Sequence, residues 1–297
     1  MSDDEEPHGP NERGYIGRDD PREGERLAAQ QTGAPDELRD ALAGCVLPPR
    51  PSVLEVGCGS GLFTRALLDA LPEARITATD VNTALLAEAR HVLGVDAGPG
   101  GRVALARADA TALPYRAQSF DLVACRFVLM HQQDPATAVA EMHRVTALGG
   151  TALAIEPEWG ARALYPDSEA LDALLTLARR ARAYGFPDLL AGRKLFALFR
   201  SAGFAPVIVR TTPFVLTADD LASTPALTGD APKVSFPGPE RLLEQGRRIL
   251  RGAGLITDAD LKELIARLAA IPRSPDYCSA GIDLAVVGQK PAPRLMP

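Results

Sequence analysis

Aromatic residues and long apolar segments are scarce in this 297-residue chain. Phe, Trp and Tyr make up only 5% of it, which argues against the aromatic stacking platforms that bind single-stranded nucleic acids. No basic run occurs and the formal net charge is -6, whereas phosphate backbones are bound by clustered Lys and Arg. No apolar run approaches the roughly 20 residues that cross a bilayer. We therefore expect neither a nucleic-acid partner nor a membrane span.

Paired cysteines are also lacking. The four cysteines (Cys45, Cys58, Cys125 and Cys278) are far apart, with no CxxC pair and no pattern shared with histidine. This spacing indicates neither a disulfide framework nor a zinc site. Residues 2–6 are polar or acidic, unlike the basic and then apolar start of a signal peptide. We expect a reduced, cytoplasmic protein without a metal site.

Residues 51–157 contain a regular alternation of strand and helix patterns. Short apolar runs predict buried strands at Ser52–Val56, Arg75–Thr79, Arg102–Ala108, Asp121–Arg126 and Thr151–Ile155. Between them, apolar residues recur at helical spacing, as in Phe63, Ala66 and Leu67. Strands that alternate with helices predict a Rossmann-like α/β fold, with a parallel sheet covered by helices on both faces.

The segments before this core differ from it in composition. Residues 1–14 are charged, contain Pro and Gly, and lack periodicity, so we expect a disordered acidic tail. Residues 15–50 predict a helical lead-in with helices at Glu23–Gln31 and Asp36–Leu42, interrupted around Gly33–Pro35.

Residues 158–297 complete the predicted sheet and add helices. Val207–Thr211 and Ile282–Val287 are the sixth and seventh strands of a mostly parallel, seven-stranded sheet. A bare loop of the length that separates them is uncommon in a compact domain. We therefore predict a helical insertion, on the substrate side, between about 213 and 275.

A glycine-rich turn follows the first strand. Gly57, Gly59 and Gly61 occupy alternate positions just before a predicted helix. Glycine permits positive φ and lets a ligand approach the main chain closely, and N–H groups at a helix start attract anionic or electron-rich atoms. The dinucleotide fingerprint G-x-G-x-x-G requires glycine at position 62, where this chain has Leu62. The turn therefore favours a nucleoside-like ligand without a pyrophosphate.

A carboxylate, Asp80, ends the second strand, nineteen residues after Gly61. At the carboxyl end of a parallel strand, such a group can accept hydrogen bonds from both hydroxyls of a ribose. The alternative is that Asp80 caps the helix that begins near Asn82. Both roles remain open from the sequence.

Four motifs together resemble one enzyme family. They are Glu55–Gly61, Asp80, Asp109-Ala110 and Phe120–Val123, in this order. The set is similar to that of class I methyltransferases that use S-adenosylmethionine (SAM), especially the ubiquinone/menaquinone and natural-product types. The resemblance is specific from about Val53 to Glu156. It implies a sheet whose last strand is reversed.

The resemblance also implies a cofactor site. In it the glycines pass beneath the methionine part of SAM, Asp80 holds the ribose, Asp109 accepts the adenine amino group, and Arg126 lies near the methionine carboxylate or the floor of the site. The residues carried over are Tyr15, Glu55, Gly57, Gly59, Gly61, Asp80, Val81, Asp109, Ala110 and Arg126.

Candidate acceptor-side residues follow the fourth and fifth strands. His131 is the best-placed titratable group for general-base work, since its ordinary pKa is near neutrality. Glu156 and Trp159 follow the fifth strand, where the indole has the chemistry to pack against a sulfonium or an aromatic acceptor. The alternatives are that His131 only caps a loop and that Trp159 is an ordinary core residue.

The function that these features favour is methyl transfer from SAM to a small, partly apolar molecule. A sulfonium methyl is already activated, so the protein mainly aligns the acceptor, and a base is needed only if the acceptor must lose a proton. The acceptor atom (O, N or C) and the oligomeric state stay open. The alternatives are a non-catalytic, SAM-binding regulatory protein and an NAD(P)-dependent oxidoreductase, which Leu62 disfavours.

Overall fold

The structure is a computed structural model that describes residues 34–94, 100–223 and 239–292. The predicted tail, Tyr15 and the first lead-in helix lie outside these residues. The second lead-in helix is present as α1 (Ala34–Leu42). It begins at Ala34 rather than Asp36, because Pro35 is compatible with the first turn of a helix. Within the described ranges, no helix combines the length and the apolar character needed to cross a membrane.

Five parallel strands form the first part of the sheet. They are β1 (Ser52–Val56), β2 (Arg75–Asp80), β3 (Val103–Arg107), β4 (Phe120–Arg126) and β5 (Thr146–Pro157). Their spatial order is β3-β2-β1-β4-β5, and each neighbouring pair is parallel. The order reverses beside β1, so the crevice at its carboxyl end is the expected ligand site of such a sheet.

Three further strands complete the sheet, and all their pairings are antiparallel. Strand β8 (Cys278–Gln289) runs against β5, and β7 (Val207–Thr217) pairs along the other edge of β8. A short strand, β6 (Ala163–Tyr165), pairs with the beginning of β8. The predicted fold class is confirmed, with one strand more than the seven expected. Three residues are too few for β6 to show an alternating pattern in the sequence.

Helices cover both faces of the sheet. One face packs against α1, α2 (Leu62–Ala70) and α3 (Thr83–Leu93), and the other against α4 (Pro135–Val145) and α6 (Leu195–Ala202). Neighbouring strand residues divide between the two cores, since successive side chains point to opposite faces. The central strands are therefore buried on both sides, which explains why they appear in the sequence as continuous apolar runs.

The helical insertion builds a third core beside the sheet. Helices α5 (Ser168–Ala181), α8 (Pro239–Gly252) and α9 (Asp258–Ala270) bury their leucines against one another, next to the short helix α7 (Ala218–Ser223). The insertion begins at residue 218 rather than 213, because β7 continues to pair with β8 as far as Thr217.

Candidate functional site

The glycine turn between β1 and α2 has an unusual backbone. Gly57, Gly59 and Gly61 have φ values of 72°, 53° and 84°, a region that residues with a side chain rarely adopt. The turn is tied to β2, because the Cys58 N–H donates to the Thr79 carbonyl at 2.8 Å. Since α2 begins directly after Gly61, the main chain of this turn lies at the start of a helix.

Two of these glycines are also required by packing. A Cβ on Gly57 would collide with the side chain of Val128, which follows β4. A Cβ on Gly61 would stand 3.1 Å from the Cβ of Ala89 and 3.2 Å from Leu93, both on α3. Gly61 therefore brings α3 close to the turn, and Gly57 allows the turn to contact the loop after β4.

Asp80 ends β2 and bonds directly to the glycine turn. Its Oδ2 accepts the Gly59 N–H at 2.9 Å, and its Oδ1 accepts the Asn82 N–H at 2.8 Å. Burial raises the pKa of this carboxyl, and the backbone hydrogen bonds oppose the shift. The alternative helix-capping role belongs to Asn82 instead, whose side chain accepts the N–H of Ala84 at 2.9 Å.

Glu55 lies inside the protein behind the glycine turn, with 1% of its surface exposed. The Thr64 hydroxyl donates to its Oε2 at 2.6 Å, a contact with α2 that the sequence reasoning missed. Among the described residues, its Oε1 has no hydrogen-bond partner. Burial raises the pKa of Glu55 to about 8. Glu55 is therefore a protonated carboxyl at neutral pH.

Asp109 and Ala110 lie just beyond β3. The Ala108 N–H donates to the Asp80 carbonyl at 3.2 Å, which places the end of β3 beside that of β2. The Asp109 Oδ1 accepts the N–H and the hydroxyl of Thr111, both at 2.8 Å, and Ala110 is buried. The chain therefore turns sharply beyond β3, beside the end of β2 that carries Asp80.

Two charged residues of α4 hold the chain that follows this turn. Arg144 donates to the carbonyls of Leu113 at 2.8 Å and Tyr115 at 2.7 Å. Glu141 accepts the Leu113 N–H at 2.8 Å and pairs with Arg144 at 2.6 Å, and this pairing lowers the pKa of Glu141. We call Glu141 and Arg144 the α4 clamp.

Val81 directly follows β2, and Arg126 is the last residue of β4. Val81 is partly buried directly after Asp80. Arg126 is 8% exposed, and its guanidinium carbon lies 4.0 Å from the centre of the Phe127 ring. Phe127 has a φ of 57°, so the chain reverses abruptly as β4 ends.

The two titratable candidates on the acceptor side, His131 and Glu156, lie in different environments. His131 is partly buried and closes the short 3₁₀ turn Leu129–His131 after β4. Glu156 has no exposed surface, and its carboxylate accepts the N–H groups of Val128, Leu129 and Met130. Burial raises the pKa of Glu156 to about 8, against the effect of these three bonds. Glu156 therefore lies beneath the turn that carries His131, and not at the open mouth of the sheet.

Trp159 lies farther along the acceptor side, where it is 4% exposed. The Arg162 guanidinium lies 4.9 Å from the indole ring and 5.6 Å from the ring of Phe214 on β7. These three side chains and Asp283 line a small, open pocket. Arg162 carries no distinctive sequence motif, so sequence reasoning missed it.

The sheet thus collects nearly all the predicted site residues at one edge. The cofactor candidates from Glu55 to Arg126 lie at or just beyond the carboxyl ends of β1 to β4, and His131, Glu156 and Trp159 lie near those of β4 and β5. Tyr15 lies outside the described residues. In the same described part, no group of three or more His, Cys, Asp or Glu residues has the arrangement of a metal site.

Comparison with known proteins identifies the family. Residues 54–154 match a methyltransferase domain model. The core of this chain belongs to the class I SAM-dependent methyltransferase superfamily. This confirms the resemblance found in the sequence, and the matched region includes the glycine turn, Asp80 and Asp109.

Relatives agree with this membership. A ubiquinone/menaquinone biosynthesis C-methyltransferase of Hahella chejuensis is 34% identical over 106 residues, 35% of this chain and 42% of that protein. A malonyl-[acyl-carrier protein] O-methyltransferase of Halorhodospira halophila is 31% identical over 195 residues, 65% of this chain and 61% of that protein. The chain spans about half the length of the curated relatives it matches.

A solved methyltransferase shares the fold. The phosphoethanolamine N-methyltransferase 2 of Haemonchus contortus, in complex with S-adenosyl-L-methionine, superimposes with a TM-score of 0.54. The superposition covers 94% of this chain and 60% of that one, at 16% sequence identity. The likeness of fold therefore extends beyond the residues that match the family model.

Proposed function

We propose that this protein transfers a methyl group from SAM to a small-molecule acceptor. The observation that carries the proposal is the hydrogen bond from the Gly59 N–H to Asp80, at 2.9 Å. It joins the glycine turn and the ribose-binding carboxylate into one unit at the carboxyl edge of the sheet. Membership in the superfamily makes SAM the cofactor, as the sequence resemblance implies.

The residues around the glycine turn fit SAM. A carboxylate has about four lone-pair sites, so Asp80 retains acceptor capacity for two ribose hydroxyls beside its two backbone bonds. Side chains pack against Gly57 and Gly61, and Gly59 between them adds no side chain of its own to the turn. The buried Oε1 of Glu55, without a partner among the described residues, is a polar atom behind the turn that is available to hydrogen-bond a ligand. We assign the ribose to Asp80, the adenine to Val81, Asp109 and Ala110, and the methionine part to the glycine turn with Arg126.

The chain's own contribution to the reaction is mainly positioning. When bound, SAM supplies a methyl group on a positively charged sulfur. The glycine turn holds the methionine part of SAM and Asp80 holds its ribose. The loop after β4 forms the wall toward the acceptor. Alignment of this kind contributes up to about 7–11 kcal/mol in favourable cases. Where the acceptor must lose a proton, an imidazole nitrogen of His131 takes it.

Several observations support a small-molecule acceptor. The net charge is -6 and basic runs are missing from the sequence, which disfavours nucleic acid. One relative named above acts, by its name, in ubiquinone/menaquinone biosynthesis. The pocket between Trp159 and Phe214 combines these two aromatic rings with the charged side chains of Arg162 and Asp283 on the acceptor side.

Two measurements test the proposal. Isothermal titration with SAM, S-adenosylhomocysteine and NAD separates a methyltransferase from an oxidoreductase, and we expect binding of the first two only. Incubation with methyl-labelled SAM and a metabolite extract is expected to release S-adenosylhomocysteine and label a small molecule. Binding of NAD alone contradicts the proposal. SAM binding without extract-dependent turnover indicates the regulatory alternative.

A further inference from the structure

The turn that follows β4 is held from below by one side chain. The N–H groups of Val128 and Leu129 donate to the Glu156 Oε1 at 2.8 and 2.6 Å, and the Met130 N–H donates to its Oε2 at 3.3 Å. Three consecutive amides therefore converge on one carboxyl, at the start of a 3₁₀ turn where helical N–H groups lack main-chain partners.

The register of the sheet explains why Glu156 reaches this turn. Arg126, the last residue of β4, is paired with Ile155 of β5, so Glu156 stands one residue beyond the end of β4. Phe127 reverses the chain there with a φ of 57°, and its N–H donates to the Ile155 carbonyl at 2.8 Å. The turn thus folds back directly over the Glu156 side chain.

The same turn touches both halves of the site. On the cofactor side, the Val128 side chain occupies the space that a Cβ on Gly57 would need. On the acceptor side, the Asp188 N–H donates to the Met130 carbonyl at 2.8 Å, and Arg182 bonds to the Gln132 carbonyl. Any displacement of the turn therefore reaches the glycine turn and the region around His131 together.

We propose that Glu156 is a positioning residue, which holds the turn Leu129–His131 in register with the glycine turn. It acts through the backbone of residues 128–130 and not by contact with SAM or the acceptor. This inference rests on the proposed function, since the position of the turn matters only if SAM binds against the glycine turn.

The test compares Glu156→Ala with Glu156→Gln. Alanine removes the acceptor of all three amides, and we expect SAM to bind at least about tenfold more weakly, in protein that is still folded at the assay temperature. Glutamine retains one oxygen, which accepts from Val128 and Leu129, so we expect its SAM affinity within about threefold of wild type. Titration calorimetry measures both affinities, and rescue by glutamine separates positioning from a need for negative charge.

Hydrogen exchange of single amides, measured by NMR without ligand, supplies a readout at the turn itself. In Glu156→Gln the side-chain NH₂ replaces the oxygen that faces Met130. We therefore expect the Met130 amide to exchange at least about tenfold faster while Val128 and Leu129 stay protected. This arm remains informative if Glu156→Ala does not fold. Unchanged exchange at Met130 contradicts the proposed geometry.

Glu158→Ala is the matched control. Glu158 is a buried carboxylate near the same strand end, but it bonds to Gly160 and Arg193. We expect this variant to lose thermal stability yet keep wild-type SAM affinity and exchange at residues 128–130. An equal loss of affinity in the control, or unchanged affinity in Glu156→Ala, overturns the positioning role. Wild-type protein that binds no SAM contradicts the proposed function instead.

Discussion

The hydrogen bonds around the glycine turn, here called the cofactor half, join residues close in the sequence. Those of the acceptor half, from about residue 158 onward, join residues far apart. Around the glycine turn, Glu55 and Thr64 are 9 residues apart, and Gly59 and Asp80 are 21 apart. On the acceptor side, the bond between Asp167 and Arg267 joins residues 100 apart, and that between Arg162 and Ser279 joins residues 117 apart.

This difference explains where motifs can be recognised. In the cofactor half, strands, turns and helices that are consecutive in the chain carry most of the residues proposed to bind SAM, so their spacing in the sequence describes the proposed site. In the acceptor half, the site depends on which long-range pairs meet after folding. A short motif therefore predicts cofactor chemistry well and acceptor chemistry poorly.

The largest expected effect comes from the turn Leu129–His131, which lies between the cofactor half and the acceptor half. We expect His131→Ala to lower methyl transfer by at least about a hundredfold if the acceptor must lose a proton, because general-base catalysis contributes about 10²–10⁴-fold. SAM affinity should stay within about twofold of wild type. The measurement is S-adenosylhomocysteine release with an active metabolite extract.

His91→Ala is the control for this substitution, since His91 is exposed on α3. It should leave transfer unchanged. A parallel loss of SAM affinity in His131→Ala would contradict this expectation, because it would show that His131 also affects cofactor binding.

A smaller effect is expected within the cofactor half. Asp80→Ala removes the ribose acceptor and the acceptor of the Gly59 and Asn82 amides, so SAM should bind at least about tenfold more weakly. Calorimetry measures the loss. Asp167→Ala is the matched change in the acceptor half, since it removes the ion pair with Arg267 at 2.9 Å. It should lower the melting temperature and leave SAM affinity unchanged, and equal losses in both variants would argue against the assignment of Asp80.

The α4 clamp is expected to act more weakly, because it supports the chain after Asp109 and is not among the residues proposed to contact SAM. Arg144→Ala releases the carbonyls of Leu113 and Tyr115, and we expect SAM affinity to fall about threefold. Arg200→Ala, at an exposed position on α6, should cause no change. A tenfold effect of Arg144→Ala would instead indicate that the clamp defines the adenine pocket.

The smallest expected effect is a pH dependence of stability. In the unfolded chain Glu55 ionises near its ordinary pKa of 4.5, whereas in the folded protein it keeps its proton up to about 8. The free energy of unfolding therefore falls as the pH rises from 4.5 to 8. Glutamine cannot ionise, so Glu55→Gln should gain at least about 2 °C in melting temperature over wild type between pH 5 and pH 8. A pH-independent difference would contradict the raised pKa.

Much of the cofactor site was predictable because its signals are local. The apolar runs located β1 to β5, since strands buried on both faces lack polar positions. Gly57 and Gly59 were recognisable because few residues other than glycine adopt the positive φ of a tight turn. Asp80 was recognisable because it is a carboxylate at the end of an apolar strand. Thr64 was missed because nothing in a helix pattern distinguishes a buried threonine that donates to a carboxyl.

The acceptor side shows the opposite case. Both Glu156 and Trp159 were expected after the fifth strand, but β5 continues to Pro157 and includes Glu156, and only Trp159 lies beyond it. Their surroundings were not predictable. The strand pattern of β5 does not indicate which residues cover Glu156. The chain reversal at Phe127 brings the N–H groups of residues 128–130 over its side chain. Arg162 was missed because its neighbours, Trp159, Phe214 and Ser279, come from three separate elements.

The amino-acid sequence alone determined the order of strands and helices, the glycine turn and the family of the core, because each depends on residues close together in the chain. Only the tertiary structure decided that Glu156 lies beneath the turn of residues 129–131 and that Val128 packs on Gly57. The physical reason is that side-chain hydrogen bonds and close packing act over a few ångströms in space. Such contacts join residues whose separation in the chain carries no signal.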